Sequence, residues 1–260
     1  MKRYRVFASD FDSRAMLLEK GMDKDGGIGK WLIYKYGESN SEIKKQNFIE
    51  LGPKPFSIIA FHNNFFEQIR CAFVAGDYYP ALTGSCALGE RILNHLILSL
   101  REDYKSTPEY KYVYGKNSFQ DWSKAIEILT AWDVLLPVTA EKFRELEKIR
   151  NKSIHFNPEI DEKTRELSLG AVKILGEIID NQFSGFGKQP WFMIVPGAIY
   201  IKKEWEAKPF IKKIYLPNCA LVGPNHKIKS IMPWSIEDTE YPQQEISDEE
   251  FAELLKKPKS

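Results

Sequence analysis

The chain has 260 residues, with 37 Lys+Arg against 36 Asp+Glu and a formal charge of +1, so a whole-chain polycation is excluded. Its 43% hydrophobic and 13% aromatic content is enough for a buried core in one large domain or a domain with appendages. Three widely spaced cysteines without a CxxC pair argue against a disulfide framework or a zinc knuckle, no apolar run reaches the roughly 18 residues of a membrane span, and MKRYRVFASDFDS lacks a signal-peptide apolar stretch. These features together point to a cytoplasmic protein that does not enter a membrane.

The neutrality is a sum of blocks. Residues 1–60 carry +3, residues 61–184 carry −3, residues 185–230 carry +6 and residues 231–260 carry −5. Four segments follow from charge and pattern: an N-terminal β-containing segment (1–60), a helical domain (61–184), a basic β segment (185–235) and an acidic tail (236–260).

In the first segment, Tyr4 to Ala8 and Trp31 to Tyr36 read as short strands among the turn-rich stretches MDKDGGIGK and ELGPKP. Asp23 and Asp25 lack the later ligands and closing Glu of a calcium loop, and GGIGK lacks the spacing and Ser/Thr of a phosphate loop, so both read as turns.

From His62 to Phe183 apolar residues recur at i, i+3 and i+4. This pattern predicts five helices, roughly 61–75, 79–103, 118–133, 139–155 and 161–183. Gly76, Pro137 and Asn157-Pro158 break the pattern, Ser118, Thr139 and Asp161 fit N-caps, and the short connections predict antiparallel packing. The chain is thus expected to be mainly α, with small β-containing segments at both ends. Past Gly185 the runs WFMIV, GAIYIKKEW, FIKKIYL and CALVG predict three or four strands, and SDEEFAELLKKPKS predicts a short helix at 247–257.

The fourth predicted helix, TAEKFRELEKIRNKSIHF, holds the most informative residues. Phe143, Leu146, Ile149 and Ile154 form its apolar face, and Arg144, Lys148, Asn151 and His155 form a polar stripe. Arg150 points into the apolar face, where a guanidinium needs a partner or a task. Glu90, at the edge of the second helix's apolar face, is a plausible salt-bridge partner, and that structural role stands beside a functional one. Arg150 and His155 lie about 140° apart on an ideal helix, so they share one phosphate only if the helix ends near His155 or the site is built from two chains.

These residues resemble the HEPN superfamily, whose ribonuclease members carry an Arg, four to six residues, then a His at the end of a late helix. Here the stretch is Arg150-Asn151-Lys152-Ser153-Ile154-His155, and FFEQIRCAFVAGDYYPALTGSCALGERILNHLIL looks like the family's first two helices. The likeness covers residues 61–184. It implies an antiparallel helical bundle and a metal-independent endoribonuclease without cofactor, with Arg150 and His155 catalytic, Asn151 orienting and Glu90 holding Arg150. It further implies a homodimer in which Arg150 of one copy serves His155 of the other, an antitoxin or regulatory protein as partner, and a role in stress response or phage defence. RNA contact falls to Arg144, Lys148 and Lys152 or to the basic β segment, where Lys202, Lys203, Lys208, Lys212 and Lys213 interleave with Tyr200, Trp205, Phe210 and Tyr215. Solvated lysines guarding strand edges are the simpler reading of that segment. The alternative for the whole chain is a non-catalytic helical module that binds a protein or nucleic acid. His62, His95 and His226 lack metal-ligand spacing, and Cys86 reads as packed rather than nucleophilic.

Overall fold

A computed structural model describes residues 2–7, 10–57, 63–119, 121–153, 158–184, 190–195, 197–231, 234–242 and 244–256. The 3.6-residue periodicity of the middle segment becomes helices α4 (Asn63–Ala75), α5 (Tyr78–Leu100), α7 (Trp122–Ala131), α8 (Pro137–Ser153) and α9 (Pro158–Phe183), with a short α6 (Tyr110–Val113) in the loop after α5. The protein is mainly helical with a small antiparallel sheet. Helices α4 and α5 run in opposite directions, with Ile69 beside Gly84 and Phe65 beside Arg91, and so do α8 and α9. Phe73 near the end of α4 packs on Tyr78 at the start of α5, and Gln182 near the end of α9 donates to Val134 O (2.9 Å), just before α8.

The helix ends refine the expected punctuation. Gly76 leaves α4 with φ of +99°, a conformation that costs glycine little. Pro137 and Pro158 open α8 and α9 instead of merely preceding them, since a missing N–H costs nothing in the first turn. Thr139 therefore lies inside α8 rather than at its cap, and position 161 falls within the span of α9, whose backbone leaves helical geometry at Lys163 (φ of −119°). The cap of α7 is Asp121, whose carboxylate accepts from Lys124 N at 2.9 Å, rather than Ser118.

Two expected strands are helical. Trp31–Tyr36 belongs to α2 (Gly27–Tyr36), which follows α1 (Arg14–Glu19) and precedes α3 (Ser41–Leu51). Asp23 starts α2 by accepting the N–H groups of Ile28 (3.0 Å) and Gly29 (3.1 Å); these bonds, Ile28's first, hold its carboxyl below the usual value. The MDKDGGIGK stretch is thus a helix entry. FIKKIYL likewise forms a π-helical turn (Ile211–Tyr215), because Phe210, Ile211, Ile214 and Tyr215 are buried while Lys212 and Lys213 face out. That spacing suits a helix, and burial of the face overrides β-propensity.

The N-terminal segment also holds β1 (Arg3–Val6), β2 (Asp10–Asp12) and β3 (Lys54–Ser57), the last two paired antiparallel. The C-terminal part adds β4 (Phe192–Val195), β5 (Ala198–Ile201), β6 (Ala220–Val222) and the hairpin of β7 (Lys227–Ile231) with β8 (Trp234–Glu237). The larger sheet has the order β4-β5-β1-β6 and is antiparallel throughout, so β1 is an inner strand between partners from the basic segment. Strand alternation then divides its residues. Tyr4, Val6, Ile199 and Ile201 join the core of the bundle, while Tyr200, Val195 and Val222 form a second core with Phe251 of α10 (Asp248–Lys256). Among the described residues no helix is long and apolar enough to cross a membrane.

Candidate functional site

Three helices bring one polar cluster together at the edge of the bundle core. Arg150, in the last turn of α8, places Nη2 3.4 Å from Glu90 Oε2 of α5, and its Nη1 donates to Asn151 Oδ1 at 3.3 Å. The indole Nε1–H of Trp122, at the first position of α7, donates to the same Glu90 Oε2 at 3.2 Å, and the guanidinium lies 5.6 Å from the Trp122 ring. The cluster is lodged in the surface without being closed off: the Arg150 side chain is 26% exposed and that of Glu90 34%.

Gly89 makes the approach possible. A Cβ there would sit 2.7 Å from Trp122 Cη2 and 2.9 Å from Leu146 Cδ2, so the absent side chain is the gap that the indole fills on its way to Glu90. Gly89→Ala is expected to lower stability in urea titration. The steric cost of about 1–3 kcal/mol exceeds the gain in helix propensity of about 1 kcal/mol. A variant as stable as the wild type would show that the indole shifts without cost.

Cys86 lies one turn before Glu90 on α5 and is buried. Burial pushes its thiol up to about 11, against smaller opposing effects of Ser153 and the Arg150 charge, so it stays protonated and serves as packing. Arg144, Lys148, Asn151 and Lys152 are exposed along α8. His155 and His62 lie outside the described residues, so the sequence-predicted pairing of Arg150 with His155 is described only on its arginine side. Arg150, Asn151 and Glu90 are brought together. Trp122 was missed by sequence reasoning, and no local pattern marks it.

The remaining histidines have structural surroundings. His226 is buried, with Nδ1 2.9 Å from Gly223 O and Nε2 hydrogen-bonded to Arg5 Nη1. Burial, with Arg91 nearby, lowers the pKa of half-buried His95. Among the described residues no group of three or more His, Cys, Asp or Glu is placed to hold a metal ion.

Three of the four interleaved aromatics of the basic segment are closed off from stacking, while Trp205 is half-buried with Lys208 Nζ 5.4 Å from its ring. Tyr200, Phe210 and Tyr215 are buried, because their faces supply core rather than surface. The lysines stay at the surface, where Lys213 Nζ meets Asp103 at 2.5 Å and Lys203 Nζ meets Glu206 at 3.2 Å and Glu245 of the acidic tail at 3.4 Å. Comparison with known protein families, with curated proteins and with solved structures gives no match.

Proposed function

We propose that the chain is a metal-independent endoribonuclease of the HEPN type. The observation that carries this reading is the setting of Arg150: a guanidinium at the last turn of α8, oriented from behind by Glu90 and Trp122, partly open to solvent, and five residues before a histidine. In the reaction His155 takes the proton of a ribose 2′-OH, whose oxygen attacks the adjacent phosphorus. The P–O5′ bond breaks, the 5′-oxygen leaves with a proton from an acid, and a 2′,3′-cyclic phosphate remains. Arg150, always charged and able to bond two oxygens at once, stabilises the charge that develops on the phosphoryl group. Imidazole, with an unperturbed pKa near 6.5, serves as base or acid. Asn151 orients, Glu90 positions Arg150, and Arg144, Lys148 and Lys152 supply local phosphate contacts that a chain of formal charge +1 lacks globally. A second copy supplies the facing histidine, and a role in stress response or phage defence, held in check by an antitoxin-like protein, belongs to the same reading.

One observation favours a second reading. The Arg150 guanidinium already has Glu90, Asn151 and Trp122 as neighbours, as a purely structural ion pair would. In that reading the bundle binds a protein or nucleic acid without cutting it.

Incubation of the purified protein with mixed RNA in EDTA separates the two. The nuclease reading expects cleavage with cyclic-phosphate ends in wild type and none in a folded His155→Ala variant. RNA retained intact by wild type across diverse substrates would turn the assignment to the binding module.

A further inference from the structure

On the side of α9 turned toward β3 lies a cleft of about 530 Å³, a size typical of small-molecule sites. The turn ELGPKP builds one rim. Gly52, at φ of +68°, ends α3, and Pro53 and Pro55 stiffen the chain that follows. Leu51, Phe56 and Val172 give the cleft apolar walls.

Its charged lining is unequal. Three cations, Lys54, Arg70 and Lys173, face two carboxylates, Glu177 and Asp180. Glu177 is met by Lys142 from outside the cleft at 2.9 Å, and Lys54 by Glu67 at 3.5 Å. Arg70 is different. It is 7% exposed, Nη2 donates to Gly52 O at 2.7 Å, and among the described residues no carboxylate oxygen lies within ion-pair distance of it. Asp12, the nearby acid of β2, is held in a two-point contact by Arg14 at 2.9 and 2.6 Å. Burial disfavours the Arg70 charge, and the more distant Glu67 and Asp12 only partly compensate. A buried guanidinium with donors left over, at the wall of an open cleft, is an anchor for an oxyanion.

We infer that this cleft binds a small monocarboxylate with an apolar body, its carboxylate paired with Arg70 and its body packed on Leu51, Phe56 and Val172. A single negative charge balances a lining of three cations and two acids, whereas a phosphate dianion would be repelled by Glu177 and Asp180. The planar carboxylate also matches the fork of an arginine, and the site is separate from Glu90 and Arg150.

Calorimetric titration of the full chain with 3-phenylpropionate, its neutral amide and phenyl phosphate tests the assignment. The carboxylate is expected to bind saturably, and the amide about tenfold or more weakly, the usual worth of a charge-assisted bond. Phenyl phosphate is expected to bind less well than the carboxylate. Arg70→Lys removes the fork, exposed Lys173→Glu reverses the rim charge, and Gly176→Leu, in the lining and in van der Waals reach of Phe66, fills the cleft from α9. Each should weaken carboxylate binding about tenfold or more. Absence of carboxylate binding, equal binding of the amide, tighter binding of phenyl phosphate, or full affinity in folded Lys173→Glu and Gly176→Leu overturns it.

Discussion

Replacing Asp248 by alanine is expected to cost about 3–5 kcal/mol of unfolding free energy, because the substitution strands a guanidinium in the interior. Arg3 on β1 is fully buried beneath α10; its Nη1 donates to the Asp248 carboxylate and its Nη2 to Ile246 O at 2.8 Å, with the Phe251 ring 5.2 Å away. Asp248 also accepts the backbone N–H of Lys203 at 3.2 Å, so one carboxylate ties the first strand, the turn after β5 and the last helix together. Its side chain is 21% exposed, which leaves little solvent screening for the lost charge. Urea titration measures the loss, and amide exchange locates it: α10 should lose protection before the bundle does. The reciprocal double variant, Arg3→Met with Asp248→Leu, should recover most of the stability, since removing both ends leaves no buried charge. A single Asp248→Ala variant within about 0.5 kcal/mol of wild type, the ordinary range of a surface change, would mean that Arg3 reaches water without disturbing the sheet.

Arg3 also marks where local pattern stops being informative. Its strand was legible in part, since Tyr4 to Ala8 reads as a short strand and β1 runs from Arg3 to Val6. Nothing in the strand discloses that the side carrying Arg3 is covered, because the residues covering it lie 243 to 245 positions away. The helices of the bundle were legible because their signal is internal to each one: an apolar stripe and a Gly or Pro where it stops. Trp31–Tyr36 misled because WLIYKY has strand-like composition, while the decisive signal is Asp23, a capping carboxylate that precedes the helix by several residues. The same competition misplaced FIKKIYL, whose four buried positions repeat with helical spacing.

The candidate site divides along the same line. Arg150 stood out as a charge on an apolar stripe and Glu90 as an acid at the edge of another, so two helical patterns sufficed to suggest their contact at 3.4 Å. Trp122 could not be found this way. Its role depends on Gly89 supplying a hole on a neighbouring helix, which is a property of packing between two faces and not of either sequence. The buried cation at Arg70 is hidden for a similar reason, since a lone arginine on an apolar stripe of α4 discloses neither the Gly52 carbonyl that it meets nor the cleft beside it.

Rate and stability should part company at Arg150. If the guanidinium stabilises a transition state, Arg150→Ala lowers single-turnover RNA cleavage by about 10²–10³-fold, the usual worth of a group aimed at developing charge. The same change should cost only about 1 kcal/mol of stability, because its ion pair with Glu90 is a quarter to a third exposed and not deeply buried. Arg150→Lys keeps the charge but loses the planar fork, so cleavage should stay low while stability returns. In the nuclease reading Glu90 acts through Arg150 as a positioning residue. Glu90→Gln preserves an oxygen for the Trp122 Nε1–H and should reduce cleavage by up to about 100-fold, the scale of a misplacement near 1 Å, with substrate binding little changed. A structural ion pair orders these effects the other way: stability falls in Arg150→Ala and Glu90→Gln, cleavage falls only in proportion to the unfolded fraction, and Arg150→Lys keeps both near wild type. Measuring denaturation midpoints beside single-turnover rates for the three variants therefore separates the two readings even where every variant is impaired, because the observable is the ratio of the losses.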